Sequence, residues 1–85
     1  MPVEDVGEVI DVLAMFRDGR FEPRKFKWRG RAHKIGRVNG RWAEHDGKYR
    51  VYHFAVVSDS DSFYELSLRT KNMEWTLDRF MVGEA

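Results

Sequence analysis

The chain has no cysteine, only two prolines in 85 residues, and a net charge of only +1. Each shortage excludes something. Without cysteine there is no disulfide framework and no cysteine-rich zinc knuckle. Asp11 and Arg17 bracket the longest apolar candidate, far short of the roughly 18–20 consecutive apolar residues of a membrane span. Residues 1–11 carry four acids and no base, unlike the basic start and apolar stretch of a secretory leader. The expectation is a cytoplasmic protein with no membrane partner. There is no Gly-x-Ser-x-Gly elbow and no glycine-rich phosphate loop. No cofactor and no catalytic residue are therefore expected, and the chain reads as a non-enzyme.

What is present is apolar and aromatic content, 42% and 14%, too much for a disordered tail. A chain this short folds as one domain around one core. Residues 1–85 are read as a single β-domain, with 1–7 as a disordered or loosely ordered lead-in. Turn signals recur at Asp18-Gly19, Arg29-Gly30, Asn39-Gly40, Asp46-Gly47, Ser58–Ser62 and Lys71-Asn72. The runs between them are rich in Val, Ile, Phe, Tyr and Trp. This pattern predicts an all-β fold, a small antiparallel barrel or strongly curved sheet of six to seven strands. Residues 8–16 favour a strand over a helix because Val9, Ile10 and Val12 are β-branched. Pro23 belongs at a strand end or edge.

Hairpin registers follow from the turns. A turn at Asn39-Gly40 would pair Arg37 with Trp42, and one at Asp46-Gly47 would pair Trp42 with Val51. Both place Trp42 with Ile35, Tyr49 and Val51 on one apolar face. A Lys71-Asn72 loop of two or four residues sets Leu68 opposite Trp75 and Leu66 opposite Leu77. Gly36 is a candidate bulge, since Val38 breaks the alternation after Ile35. The stretch Tyr49–Val57 is apolar on both sides and reads as central. The expected core is Ile10, Leu13, Phe26, Trp28, Ile35, Val38, Trp42, Val51, Phe54, Leu66, Leu68, Trp75 and Leu77.

The small net charge is a cancellation. Residues 1–16 carry −4, residues 17–41 carry +8 and residues 42–85 carry −3. Bases interleaved with aromatics suit nucleic acid, because cations follow the phosphates while rings stack on bases. The candidate contacts are Arg24, Lys25, Lys27, Arg29, Arg31 and Lys34, with an exposed ring among the interleaved Phe21, Phe26, Trp28 and Trp42 to stack on a base. Alternation along a strand offers the opposite reading, aromatics inward and bases outward. His33, His45 and His53 form no expected metal site, since the hairpin registers separate His33 from His53 by roughly 20 Å. The Asp59-Ser60-Asp61 spacing opens like a calcium loop but lacks its later ligands, and reads as a polar turn.

The string Phe26-Lys27-Trp28-Arg29-Gly30-Arg31, followed by His33, Ile35, Val38 and Trp42, resembles a domain-of-unknown-function family of short, uncharacterised bacterial proteins. Tyr49–Tyr52, Phe63–Leu66 and Trp75–Leu77 extend the resemblance over roughly residues 9–80. It implies a small β-rich bacterial domain and carries over no activity, cofactor or catalytic residue. His33 stands where the pattern has Tyr or Phe, which implies a packed ring. The functional expectation is a non-catalytic binding or interaction module, its partner unspecified, with self-association through an exposed edge strand as one mode. Sequence-independent binding of nucleic acid through residues 24–34 is the alternative.

Overall fold

The computed structural model describes residues 3–81. Seven strands run in chain order: β1 (Glu4–Val9), β2 (Asp11–Arg17), β3 (Arg20–Trp28), β4 (Arg31–Asp46), β5 (Tyr49–Ser58), β6 (Phe63–Arg69) and β7 (Glu74–Met81). All neighbours are antiparallel, in the order β1-β7-β6-β5-β4-β3-β2. The two edge strands, β1 and β2, are consecutive in the chain and separated by Ile10 alone. The two ends of the strand order therefore come together at Ile10, yet no ladder joins β1 to β2 among the described residues. The strands form one antiparallel sheet that is not closed into the expected barrel. The N-terminal segment expected to be loosely ordered is β1 from residue 4 onward, while Met1 and Pro2 lie outside the described residues.

Local chemistry accounts for the turns. Asp18-Gly19 and Arg29-Gly30 both adopt positive φ at both residues, as two-residue hairpins with the sheet's twist require. The β4–β5 turn is centred one residue later than expected, on Gly47-Lys48, so Asp46 pairs with Tyr49 and Trp42 with His53. Only Gly47 has positive φ there, so glycine occupies the first central position and the residue after it needs no special freedom. The last hairpin uses the four-residue loop and keeps the expected pairs, Leu68 with Trp75 and Leu66 with Leu77.

Asn39-Gly40 is not a turn. Neither residue has positive φ, and β4 runs through them for sixteen residues. Gly36 is the bulge expected of it, and Asn39 is a second one. An unbroken strand wins because it ladders against β5 along its length while Ile35 and Val38 stay packed on the core. Pro23 sits inside β3 rather than at its end. It lies beside a bulge at Arg24, where its missing donor interrupts no regular ladder.

The core lies on the inner face of the curve: Ile10, Phe26, Phe54, Val56, Tyr64, Leu66 and Leu77 form one buried cluster. Each such large side chain contributes roughly 1.5–3 kcal/mol relative to exposure, which is what holds an unstapled chain together. β5 is the middle strand of the order and also buries Val51 and Val57 on its other face. Two expected core residues are not in the core. Leu13 is 65% exposed because β2 is an edge strand that turns it outward, and Trp42 is 44% exposed because the β4–β5 hairpin runs beyond the core. Residues 41 to 50 are all exposed, and the molecule extends to 41 × 26 × 24 Å.

Candidate functional site

β3 and β4 pair only from Lys25 to Trp28 and from Arg31 to Lys34. Past that point the bulges at Gly36 and Asn39 bend β4 away toward β5, and the two strands part. A cleft of about 270 Å³ opens in the gap, lined by Phe16, Phe21, Tyr52, Phe54 and Trp42 and by Arg20 and Arg41. Arg41 spans the gap and donates to the Phe21 carbonyl at 2.8 Å, with its guanidinium 5.7 Å from the Phe54 ring centre. Phe16 and Phe21 meet edge to face at 5.0 Å, and Phe21 lies 6.4 Å from Tyr52. Trp42 stacks one face on His53, 5.1 Å away and within 4° of parallel. The rest of its ring system stays accessible.

Cations stand on both banks. Lys25 and Lys34 are directly opposite one another where the strands part, and Arg24 and Arg37 stand on β3 and β4 beyond them. Among the described residues, Arg20, Arg24, Lys25, Lys34, Arg37 and Arg41 form no ion pair with a carboxylate. Arg37 bonds only to the Asn39 side-chain oxygen, at 3.0 Å. Like charges opposite each other destabilise a ladder, so the Lys25–Lys34 pair favours a nearby anion.

The structure divides the six basic residues singled out by the sequence. Arg24, Lys25, Lys27, Arg31 and Lys34 are exposed and without carboxylate partners among the described residues. Arg29 is committed elsewhere: it pairs with Glu8 and lies 4.7 Å from the Trp28 ring centre. Of the rings expected to stack on bases, Phe26 and Trp28 are not offered to solvent. Phe26 is 1% exposed, and Trp28 is half-buried against Phe80 while its indole N–H donates to Glu8 at 3.0 Å. The accessible rings are Trp42 and Phe16, the latter 64% exposed. Sequence reasoning missed Arg20, Phe16 and Arg41 because the cleft depends on where β3 and β4 separate. Gly36 and the broken alternation at Val38 were the available signal.

Two histidines have structural surroundings. His33 lies 5.0 Å from Phe26 in a stacked pair, and burial, aided by the Arg31 charge, holds its pKa below the usual 6.5. It is the packed ring that the resemblance implied. His53 belongs to a polar group on the opposite face from the core. Its Nε2 lies 2.6 Å from Glu44 Oε1, at ion-pair distance but off the hydrogen-bond line, and its Nδ1 lies 3.8 Å from Asp78 Oδ2. Ser67 donates its hydroxyl proton to Asp78 at 3.1 Å, not to the imidazole. Among the described residues no three acidic or histidine side chains are placed to hold a metal ion. The Asp59–Asp61 loop closes on itself through Asp61 N–H to the Ser58 carbonyl and Ser62 N–H to Ser58 Oγ. No helix is long and apolar enough to cross a membrane.

No family model, curated protein or solved structure matches this chain.

Proposed function

We propose that this chain is a non-catalytic binding module that takes single-stranded nucleic acid in the cleft between β3 and β4. The observation that carries the reading is the pairing of accessible rings with cations that lack carboxylate partners among the described residues: Trp42 and Phe16, with Arg20 and Arg41 in the cleft, and Lys25 opposite Lys34 where β3 and β4 last pair. Single strands are bound by this combination, a positive groove for phosphates and a flat ring for a base. The cleft is smaller than most cofactor pockets, yet it is open at the side and accommodates one stacked ring.

The test is fluorescence anisotropy with a labelled thymidine oligonucleotide of about 10 nucleotides at rising salt. The expected result is a linear fall of log affinity with log salt, with a slope of about −0.7 for each phosphate neutralised. Trp42→Ala should weaken binding by roughly 1–3 kcal/mol, the worth of one stacked base. Inorganic polyphosphate should compete, and its own affinity should be insensitive to Trp42→Ala. An affinity independent of salt, or no binding at low salt, would remove the proposal.

A further inference from the structure

β2 is the end of the strand order, and its outer edge has no partner among the described residues. It reads Asp11-Val12-Leu13-Ala14-Met15-Phe16-Arg17: five apolar residues bracketed by one acid and one base. Leu13, Met15 and Phe16 are 65%, 42% and 64% exposed. Soluble sheets blunt such an edge with lysine, proline, a bulge or inward-pointing charge. β2 has none of these, because the extra residue of the β2–β3 bulge, Arg24, belongs to β3.

We propose that β2 pairs antiparallel with β2 of a second copy, about a two-fold axis through Ala14. The edge is complementary to itself. In that register Asp11 faces Arg17 of the second copy, Val12 faces Phe16 and Leu13 faces Met15. Symmetry repeats each pair, so the apolar strip is closed at both ends by an Asp–Arg contact. A two-fold interface demands this self-complementarity. Neighbouring registers fail on the same residues. A shift of one sets outward Leu13 against inward Ala14 and joins the outer face of one sheet to the inner face of the other. A shift of two sets Asp11 against Met15, or Arg17 against Leu13, and leaves a charge facing an apolar side chain.

On the outer face each row then runs from Lys25 through Leu13 to Met15 and Glu22 of the second copy, apolar at the centre and polar at its ends. Arg17 now pairs with Glu22 of its own chain at 3.2 Å, an exposed contact of the kind that contributes little and is readily shared. The pairing covers part of Phe16, which also lines the β3–β4 cleft, but Asp11, Leu13 and Arg17, the residues changed in its test, do not line that cleft.

Sedimentation equilibrium of the full chain, up to about 1 mM, should show one monomer–dimer equilibrium and no larger species. Asp11→Arg and Arg17→Asp should each weaken the dimer by about tenfold or more, since each places like charges opposite one another twice. Mixing these two variants should restore association as a heterodimer, and the double variant should restore the homodimer. Leu13→Lys, at an exposed position, should give a monomer with unchanged circular dichroism. A wild type that stays monomeric over the whole range overturns the proposal. A dimer indifferent to Asp11→Arg and Leu13→Lys, or two charge variants that do not recombine, overturns it equally.

Discussion

The two edges of this sheet are built from neighbouring residues and have opposite characters. β1 holds Glu4, Asp5 and Glu8 among its six residues, and Gly7, at φ +67°, lies within a register shift that breaks the ladder with β7. Asp5 lies 3.7 Å from Arg79, and Glu8 accepts from Arg29 and Trp28. β2 holds one acid and one base at its two ends and only apolar residues between. A bulged acidic edge repels a second strand, whereas a regular apolar one invites it. The change of character occurs across one residue, Ile10, which is 6% exposed and gives its N–H to the Trp75 carbonyl at 3.1 Å. The lesson is that edge protection is set strand by strand, and a small sheet can be closed to partners on one edge and open on the other.

The largest effect is expected at the joint between them. Ile10→Ala removes the buried side chain that anchors both edges and should cost about 2–5 kcal/mol in urea unfolding followed by circular dichroism, at one fixed protein concentration. A loss under about 1 kcal/mol would mean that the ladders to β7 and β3 hold the edges without the plug. Next comes removal of the charge from β1. The triple change Glu4→Val, Asp5→Val and Glu8→Val should make this edge adhesive too, and light scattering should then show growth beyond a dimer. Two adhesive edges on one molecule build open chains rather than a closed pair. If the triple variant scatters like the wild type, the bulge at Gly7, and not charge, protects β1.

The edges also show what a sequence conveys and what it withholds. Strand content, the central place of β5, the Gly36 bulge and the Leu66–Leu77 pairing were legible, because alternation and turn chemistry act over a few residues. Asn39-Gly40 misled because its local preference for a turn is worth less than the long ladder β4 makes with β5. Leu13 and Trp42 were assigned to the core because a large apolar residue in a strand is ordinarily buried, and nothing local marks an edge or an overhanging hairpin. The basic block was legible as a block. Its division into Arg29, tied to Glu8, and cations that border a cleft depends on where two strands diverge, which is a tertiary fact.

A smaller effect separates the core from both edges. His33 is held neutral by burial beside Phe26, so its folded pKa lies below 6.5. Between those two values the unfolded chain binds the proton more readily than the folded one. Stability should therefore be constant above about pH 6.5 and decline as the pH falls below it. His33→Phe keeps the stacked ring and should flatten that limb. A wild-type curve already flat from pH 7 to 5 would contradict the assignment.

The smallest expected change sharpens the contrast between the edges most directly. Glu8 is held below its ordinary pKa of 4.5, first by the hydrogen bond from Arg29 and then by that from Trp28. A depressed folded pKa means that its contribution is complete above about pH 4.5 and is lost as the pH falls through the lower, folded value. Glu8→Gln should lower neutral stability only slightly, because the carboxylate is exposed, and should make acid unfolding shallower by the same small amount, read through tryptophan fluorescence. Asp11→Asn on β2 removes one carboxylate as well, but from an edge whose charge faces outward to a second copy. It should weaken association and leave the unfolding of the monomer as it was. If instead Glu8→Gln altered association, or Asp11→Asn altered monomer stability alone, the two edges would not be divided into one that holds the molecule and one that joins it to another.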